Sequence, residues 1–343
     1  MKKNFLIFAI LPLLASCGTN IDSSVEESVN SSSTSANEVS IEVSEGASNI
    51  ITGHGEPSND LGTLYSLYVD EDTHKIYEKN KAYVPTSPLA MKKFANDDGA
   101  KWVDTNCKAG ENFNKESPVA DVLRTALLST NVTIKANDHT VVNMGSSNFT
   151  MDSVVYIGFN VGNVIFKTDA EGYEGFDNAI IRAYSTYNAD TKQYSLFMNE
   201  VNGNYQGVNN FVDRTSYLTD EDPSHKAFAE RFTKRCFNDY VESACKFALF
   251  DEILKELDNF TVTNKVYALD KVISVVSEDY IAMYGEGQLK FSNLEFKLSE
   301  DSLSLDYLSF SLVYQTTDET NVLSEDMRIE ASNLRTTSFN IPE

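Results

Sequence analysis

The stretch Phe291-Ser292-Asn293-Leu294-Glu295-Phe296-Lys297-Leu298 sets the fold class. Apolar Phe291, Leu294, Phe296 and Leu298 are separated by polar residues, and Leu303, Leu305 and Tyr307 continue the pattern. Phe310, Leu312 and Tyr314 resume it after a one-residue slip in phase between Tyr307 and Leu308, which predicts a β-bulge there. Side chains of a strand point alternately to its two faces, so this pattern describes strands with one buried face and one wet face. Antiparallel sheets tolerate that asymmetry and parallel sheets do not.

Working back from there, the chain is β-rich on both sides of a helical centre. Pro118–Ser129 reads as a helix: Ser117 can cap it, Pro118 fits its first turn, and Val119, Val122, Leu123, Ala126 and Leu127 share a face. Short β-rich runs follow at 131–134, 140–143, 149–158 and 161–168. The runs 179–187 and 193–199 flank a turn at Asn188-Ala189-Asp190-Thr191-Lys192. Between 223 and 258 the apolar residues Phe228, Phe232, Cys236, Tyr240, Ala244 and Ala248 recur every four positions, followed by Ile253, Leu254 and Leu257. That is the core-facing stripe of one long helix or two stacked ones, with Asp222 and Pro223 suited to start it. Lys226, Arg231, Lys234 and Arg235 form a basic patch that a solvated helix face accounts for.

The fold class expected is α+β, with an antiparallel β-rich main domain over 117–343 and helices near 118–129 and 223–258. Two arrangements remain open. Asn131-Val132-Thr133-Ile134 and Asn259-Phe260-Thr261-Val262 each follow a helix, which suits a duplicated helix-plus-sheet unit. One sheet with a helical insertion between its halves suits the order equally well. The order also resembles the half-barrels of periplasmic lipoprotein carriers. That resemblance implies a curved sheet able to hold an acyl chain.

The 343 residues carry 28 Lys and Arg against 51 Asp and Glu. Such a balance argues against nucleic acid, whose binding rests on basic grooves that displace counterions. Net charge of this sign serves solubility. Cys107, Cys236 and Cys245 make an odd set with no Cys-x-x-Cys spacing, so neither a zinc site nor a disulfide framework is indicated. On one continuous helix Cys236 and Cys245 would lie about 13 Å apart, too far to bridge. They read as buried thiols.

The amino-terminal end gives an address. Lys2 and Lys3 precede an apolar run from Phe5 to Leu14, which ends in Leu14-Ala15-Ser16-Cys17. Residues 1–17 have the charged, apolar and small-residue parts of a signal peptide. The apolar part, at about ten residues, is roughly half a membrane span. Leu14-Ala15-Ser16-Cys17 resembles the lipobox of bacterial lipoproteins. The resemblance implies a diacylglyceryl group on the Cys17 thiol, cleavage before Cys17, and attachment to the outer side of the cell membrane. Residues 18–48 are rich in Ser with recurring acids, and no Lys or Arg occurs between Lys3 and Lys75. That composition predicts a disordered, self-extending tether.

A small β-hairpin module is expected over 49–105. Gly53-His54-Gly55-Glu56-Pro57-Ser58, Leu67-Tyr68-Val69-Asp70 and Ile76-Tyr77-Glu78-Lys79 resemble a short module of bacterial and phage surface proteins. In that module a Gly/Pro-rich lead enters a strand, a turn and a second strand, with a tryptophan downstream. Trp102 takes that place after a longer gap, while Tyr65 and His74 stand where glycines are usual and Ser66 where Asp is. Asp70, Asp72 and His74 lack the spacing of a calcium loop and read as a solvated turn.

Catalytic motifs are absent: there is no Gly-x-Ser-x-Gly elbow, His-Glu-x-x-His helix or phosphate loop. His54, His74, His139 and His225 are scattered in polar, loop-like contexts, and Glu300/Asp301 and Glu325/Asp326 read as turn residues. Cys17 is the one residue with an assigned chemistry, and no catalytic, cofactor or metal site is expected. The function expected is non-enzymatic: a membrane-anchored extracytoplasmic lipoprotein with a surface-binding or structural role toward an extracellular ligand or protein. A lipid or lipoprotein carrier with an apolar cavity and a hydrolase with a dispersed site are the competing readings.

Overall fold

The computed structural model describes residues 50–83, 99–144, 147–171, 179–188, 190–201, 204–205, 210–245, 249–300 and 304–339. Expectations for residues 1–48, including Cys17, and for Ala248, Asp301 and Leu303 lie outside the described residues. So do those for the side chains of Phe228, Ala244 and Cys245.

The chain opens with β1 (Ile50–Gly53), β2 (Leu67–Asp70), β3 (Lys75–Asn80) and β4 (Lys101–Lys108). β1 lies parallel to β2, while β2, β3 and β4 pair antiparallel in order. The expected hairpin is β2–β3. Its turn places His74 at φ +59°, and Tyr65 before it sits at φ +71°, so both adopt the left-handed backbone that glycine adopts most cheaply. Trp102 packs against Tyr68 with ring centroids 5.9 Å apart. Both faces of this sheet are covered: Ile51, Tyr68 and Tyr77 form one small core. Val69, Ile76 and Cys107 on the other side join the main core. The first sheet therefore shares a core with the rest of the chain.

α1 (Pro118–Leu127) follows, and Ser117 caps it as its sequence predicts, accepting a hydrogen bond from the Val119 N–H at 3.2 Å. Its Leu123, Ala126 and Leu127 are buried, worth about 1.5–3 kcal/mol for each leucine. Next come β5 (Asn131–Met144), β6 (Ser147–Asn160), β7 (Asn163–Glu171), β8 (Ala179–Asn188) and β9 (Gln193–Met198), paired antiparallel in sequence. The two short strands β10 (Glu200–Val201) and β11 (Asn204–Tyr205) pair with each other, and β12 (Val212–Asp213) adds to β9.

The helical centre is broken more often than the four-residue repeat predicts. It comprises α2 (Pro223–Glu230), α3 (Phe237–Cys245) and α4 (Leu249–Glu256), with 3-10 turns at Arg231–Thr233 and Leu257–Asn259. Arg235, expected on a solvated face, instead lies between elements in the break before α3. Its Nε donates to the Tyr194 hydroxyl at 2.8 Å and its guanidinium lies 4.7 Å from the Tyr187 ring centroid.

The chain ends with β13 (Thr261–Thr263), β14 (Val266–Leu269), β15 (Ile273–Val275), α5 (Glu278–Tyr284), β16 (Gly287–Leu298), β17 (Leu305–Thr316) and β18 (Asn321–Ser332). The main sheet has twelve strands among the described residues and is antiparallel throughout. Its order is β12-β9-β8-β7-β6-β5-β18-β17-β16-β14-β13, with β15 beside β16. β5, the first strand of the N-terminal half, thus pairs with β18, the last of the C-terminal half. This is one open sheet with the helices inserted between its halves, not a duplicated unit and not a closed barrel. The fold is α+β. β13, which the echo with β5 would make a central strand, is a three-residue edge strand.

Val132, Ile134, Phe159, Phe166, Phe296, Leu308, Leu312 and Ile329 line the inner face and share one core with Leu123, Phe237, Ile253 and Leu254 of the helices. Two bulges interrupt β16–β17. Ser292 pairs with Ser311 but Glu295 with Ser309, so β16 carries an extra residue at Asn293, which sits at φ +53°. Lys297 pairs with Tyr307 and Leu298 with Leu305, so the second bulge is at Asp306, one residue before the expected slip. The first explains why Phe291 and Leu294, three apart, both point inward.

Candidate binding face

The outer face of the main sheet carries a row of polar side chains across its middle. His139 on β5 lies directly opposite Asp152 on β6 and Asp326 on β18, and Asp326 lies opposite Ser311 on β17. The row is hydrogen-bonded: His139 Nδ1 meets Asp152 Oδ1 at 2.7 Å, and the Ser311 hydroxyl donates to Asp326 Oδ1 at 2.6 Å. Asn293 Nδ2 donates to the Ser311 hydroxyl at 3.0 Å. The bulge at Asn293 makes that last contact, because the extra residue leaves two successive side chains on the outer face.

This row floors an open groove of about 600 Å³ that Arg328 and Asn137 also line. Arg328 lies opposite Asn137 and rests 3.7 Å from the centroid of the Tyr307 ring. The His139 imidazole is held above its usual range, first by the hydrogen bond to Asp152 and then by the charges of Asp152 and Asp326. The Ser311 hydroxyl gives its proton to Asp326. The row's exposed donors and acceptors suit binding of a polar ligand.

On the inner face directly beneath, Asp138 is buried and accepts a hydrogen bond from the Thr140 hydroxyl at 3.0 Å. Burial pushes its carboxyl up to about 7. The neighbouring space, lined by Ala136, Phe237, Tyr240 and Met327, is about 20 Å³. That is room for about one water molecule and not for an acyl chain. A second outer groove, of about 340 Å³, runs over Gly158 between Tyr156, Lys167 and Arg182, and Phe339 forms part of its wall.

The other expected site positions are structural. Asp70 is buried and not solvated: its Oδ1 accepts from the Gly55 and Asp72 N–H groups at 2.9 and 3.1 Å, and its Oδ2 from Thr73. Among the described residues no His, Cys, Asp and Glu group could hold a metal ion. His54 pairs with Asp72 at 3.0 Å, and His225 pairs with Asp220 at 2.9 Å and stacks on Tyr217. His139 and Glu325/Asp326 lie in strands and not in loops or turns. Sequence reading missed the row because its members come from five strands. The signal that could have placed His139 is the alternation Ala136-Asn137-Asp138-His139-Thr140, which Asp138 obscures by being both charged and inward-facing.

No protein-family model matches the chain, and no curated protein matches it. Among solved structures, it is similar to a DUF1329 family protein from Desulfovibrio piger: 8% identity over 64% of this chain and 92% of that one, with a TM-score of 0.21. A likeness at that level carries no argument about fold or function.

Proposed function

We propose that this protein is an extracytoplasmic lipoprotein, anchored at Cys17, that binds a polar ligand on the outer face of its main sheet without transforming it. The observation that carries the binding role is the row of polar side chains on the floor of the 600 Å³ groove, where the hydrogen-bonded pair Asp152–His139 lies beside the hydrogen-bonded set Asp326–Ser311–Asn293. A groove of that size matches small-ligand sites, and its side chains are already oriented by their neighbours, which lowers the entropy lost on binding. The anchor rests on the residues at 2–17.

Asp152 and Asp326 offset Arg328 and His139, so the groove carries no excess of positive charge to hold an anionic ligand. Alternating donors and acceptors favour a hydroxyl-bearing one, neutral or cationic. The test is retention of the full chain on arrays of neutral, amino-bearing and acidic oligosaccharides. Neutral or amino-bearing sugars should be retained, with about tenfold or greater loss in His139→Ala and in Asp326→Ala. Retention that survives both substitutions, or no retention of any sugar, contradicts the proposal.

A further inference from the structure

Cys107 and Cys236, 129 residues apart, meet in the core with their sulfurs 3.4 Å from each other. Both are fully buried. Cys107 is on β4 of the first sheet, and Cys236 immediately precedes α3. Each thiol is aimed at the same acceptor, the Thr105 carbonyl, at 3.6 and 3.5 Å. The remaining polar contacts are donors directed at the sulfurs: Asn238 Nδ2 to Cys107 Sγ at 3.5 Å and the Asp239 N–H to Cys236 Sγ at 3.4 Å. A disulfide keeps the weak acceptor sulfurs that Asn238 and Asp239 address and gives up only the two S–H donors, both of which are spent on the one Thr105 carbonyl.

We infer that Cys107 and Cys236 form a disulfide that staples the first sheet to the helical layer of the main domain. The inference rests on the extracytoplasmic reading, since structural disulfides persist in oxidising compartments. A bond of about 2.05 Å requires the two sulfurs, 3.4 Å apart, to close by about 1.4 Å. The oxidant is the disulfide of an extracytoplasmic thiol–disulfide oxidoreductase. One cysteine thiolate attacks it, forming a mixed disulfide and releasing one oxidant thiolate. The second cysteine thiolate then attacks the protein sulfur of that mixed disulfide and releases the other. The protein loses two electrons and two protons, and the oxidant gains both as two thiols.

Burial also pushes the Cys107 thiol well above its usual range, so the folded, reduced protein holds little thiolate there. Oxidation therefore belongs to folding, before the two sulfurs are covered.

The test has two arms. In the first, the full chain is unfolded with reductant and refolded in a buffer of reduced and oxidised glutathione, which is independent of export. Trypsin and a glutamate-specific protease then separate Cys236 (in Cys236–Glu242) from Cys245, and mass spectrometry should find Trp102–Lys108 linked to Cys236–Glu242. The linked pair should weigh two hydrogens less than the separate peptides. Cys245→Ser should leave the link in place. Free thiols at 107 and 236 in protein that has refolded, or a link from either to Cys245, overturns the inference. In the second arm the same digest is made on protein alkylated in its native cells. The link in the first arm but not in the second contradicts the extracytoplasmic reading and leaves the chemistry of the pair standing.

Discussion

Glu78 of the first sheet and Thr130 at the entry to the main sheet are joined through a single carboxylate oxygen. Glu78 Oε2 accepts from the Thr130 N–H at 2.7 Å and from its hydroxyl at 2.6 Å. Asn80 Nδ2 donates to the same oxygen at 2.9 Å, and all three residues are buried. Removing the carboxylate takes the acceptor from the Thr130 N–H and hydroxyl and leaves Asn80 Nδ2 only its contact to the Thr130 hydroxyl at 3.3 Å. Glu78→Ala should cost about 2–4 kcal/mol in denaturant unfolding, and Glu78→Gln less. A loss below about 1 kcal/mol for the alanine variant would show that water replaces the carboxylate there.

Asp138 gives the protein a defined pH dependence. Its folded pKa, about 7, lies above the ordinary carboxylate value, so the folded state keeps a proton that the unfolded state releases. Stability from this group therefore falls as pH rises from about 4 to about 7 and is level above that window. Asp138→Asn should remove that slope and raise stability at pH 8 by on the order of 2–4 kcal/mol. Denaturant titrations at pH 5 and pH 8 check it. An equal pH slope in the variant would mean that the carboxyl titrates in the ordinary range.

His139 and Asp152 can be read directly by NMR. The imidazole should titrate above 6.5, with Asp152→Asn moving it back toward that value. Stability from this pair is present below the unfolded pKa and is lost as pH rises through the folded one. Both side chains are about half exposed or more, so solvent screening keeps its contribution small. An unshifted His139 in the wild type would remove the pairing.

Much of the architecture could be read from the chain before any coordinates, because period-two alternation in β16 and β17 and the cap at Ser117 are local signals. What sequence could not supply is the order of strands. The pairing of β5 with β18 is a contact between the two ends of the main domain, and it brings His139 beside the Asp326–Ser311 pair that β17 and β18 make. The contact of Cys107 with Cys236 is hidden for the same reason, and spacing arguments directed attention to Cys245 instead. The four-residue apolar repeat reads longer than the helices because it persists through the break at 234–236.

The turn positions at Tyr65 and His74 allow a contrasting pair of substitutions. His74 is exposed and pays the left-handed backbone penalty of about 1–2 kcal/mol, so His74→Gly should be neutral or stabilising in thermal unfolding. Tyr65 carries the same backbone but stacks under the Arg335 guanidinium at 3.9 Å. Tyr65→Gly should therefore lose about 1 kcal/mol or more as the stacked contact goes. Equal effects at the two positions would mean that backbone conformation alone decides both.

The account as a whole stands on the address read from residues 1–17, and the mass of the amino-terminal peptide tests it most directly. Protein taken from the membrane fraction of its own cells should begin at Cys17, with a diacylglyceryl group on the thiol, and Cys17→Ala should leave the membrane fraction. A chain that begins at Met1 with an unmodified Cys17 would contradict the account.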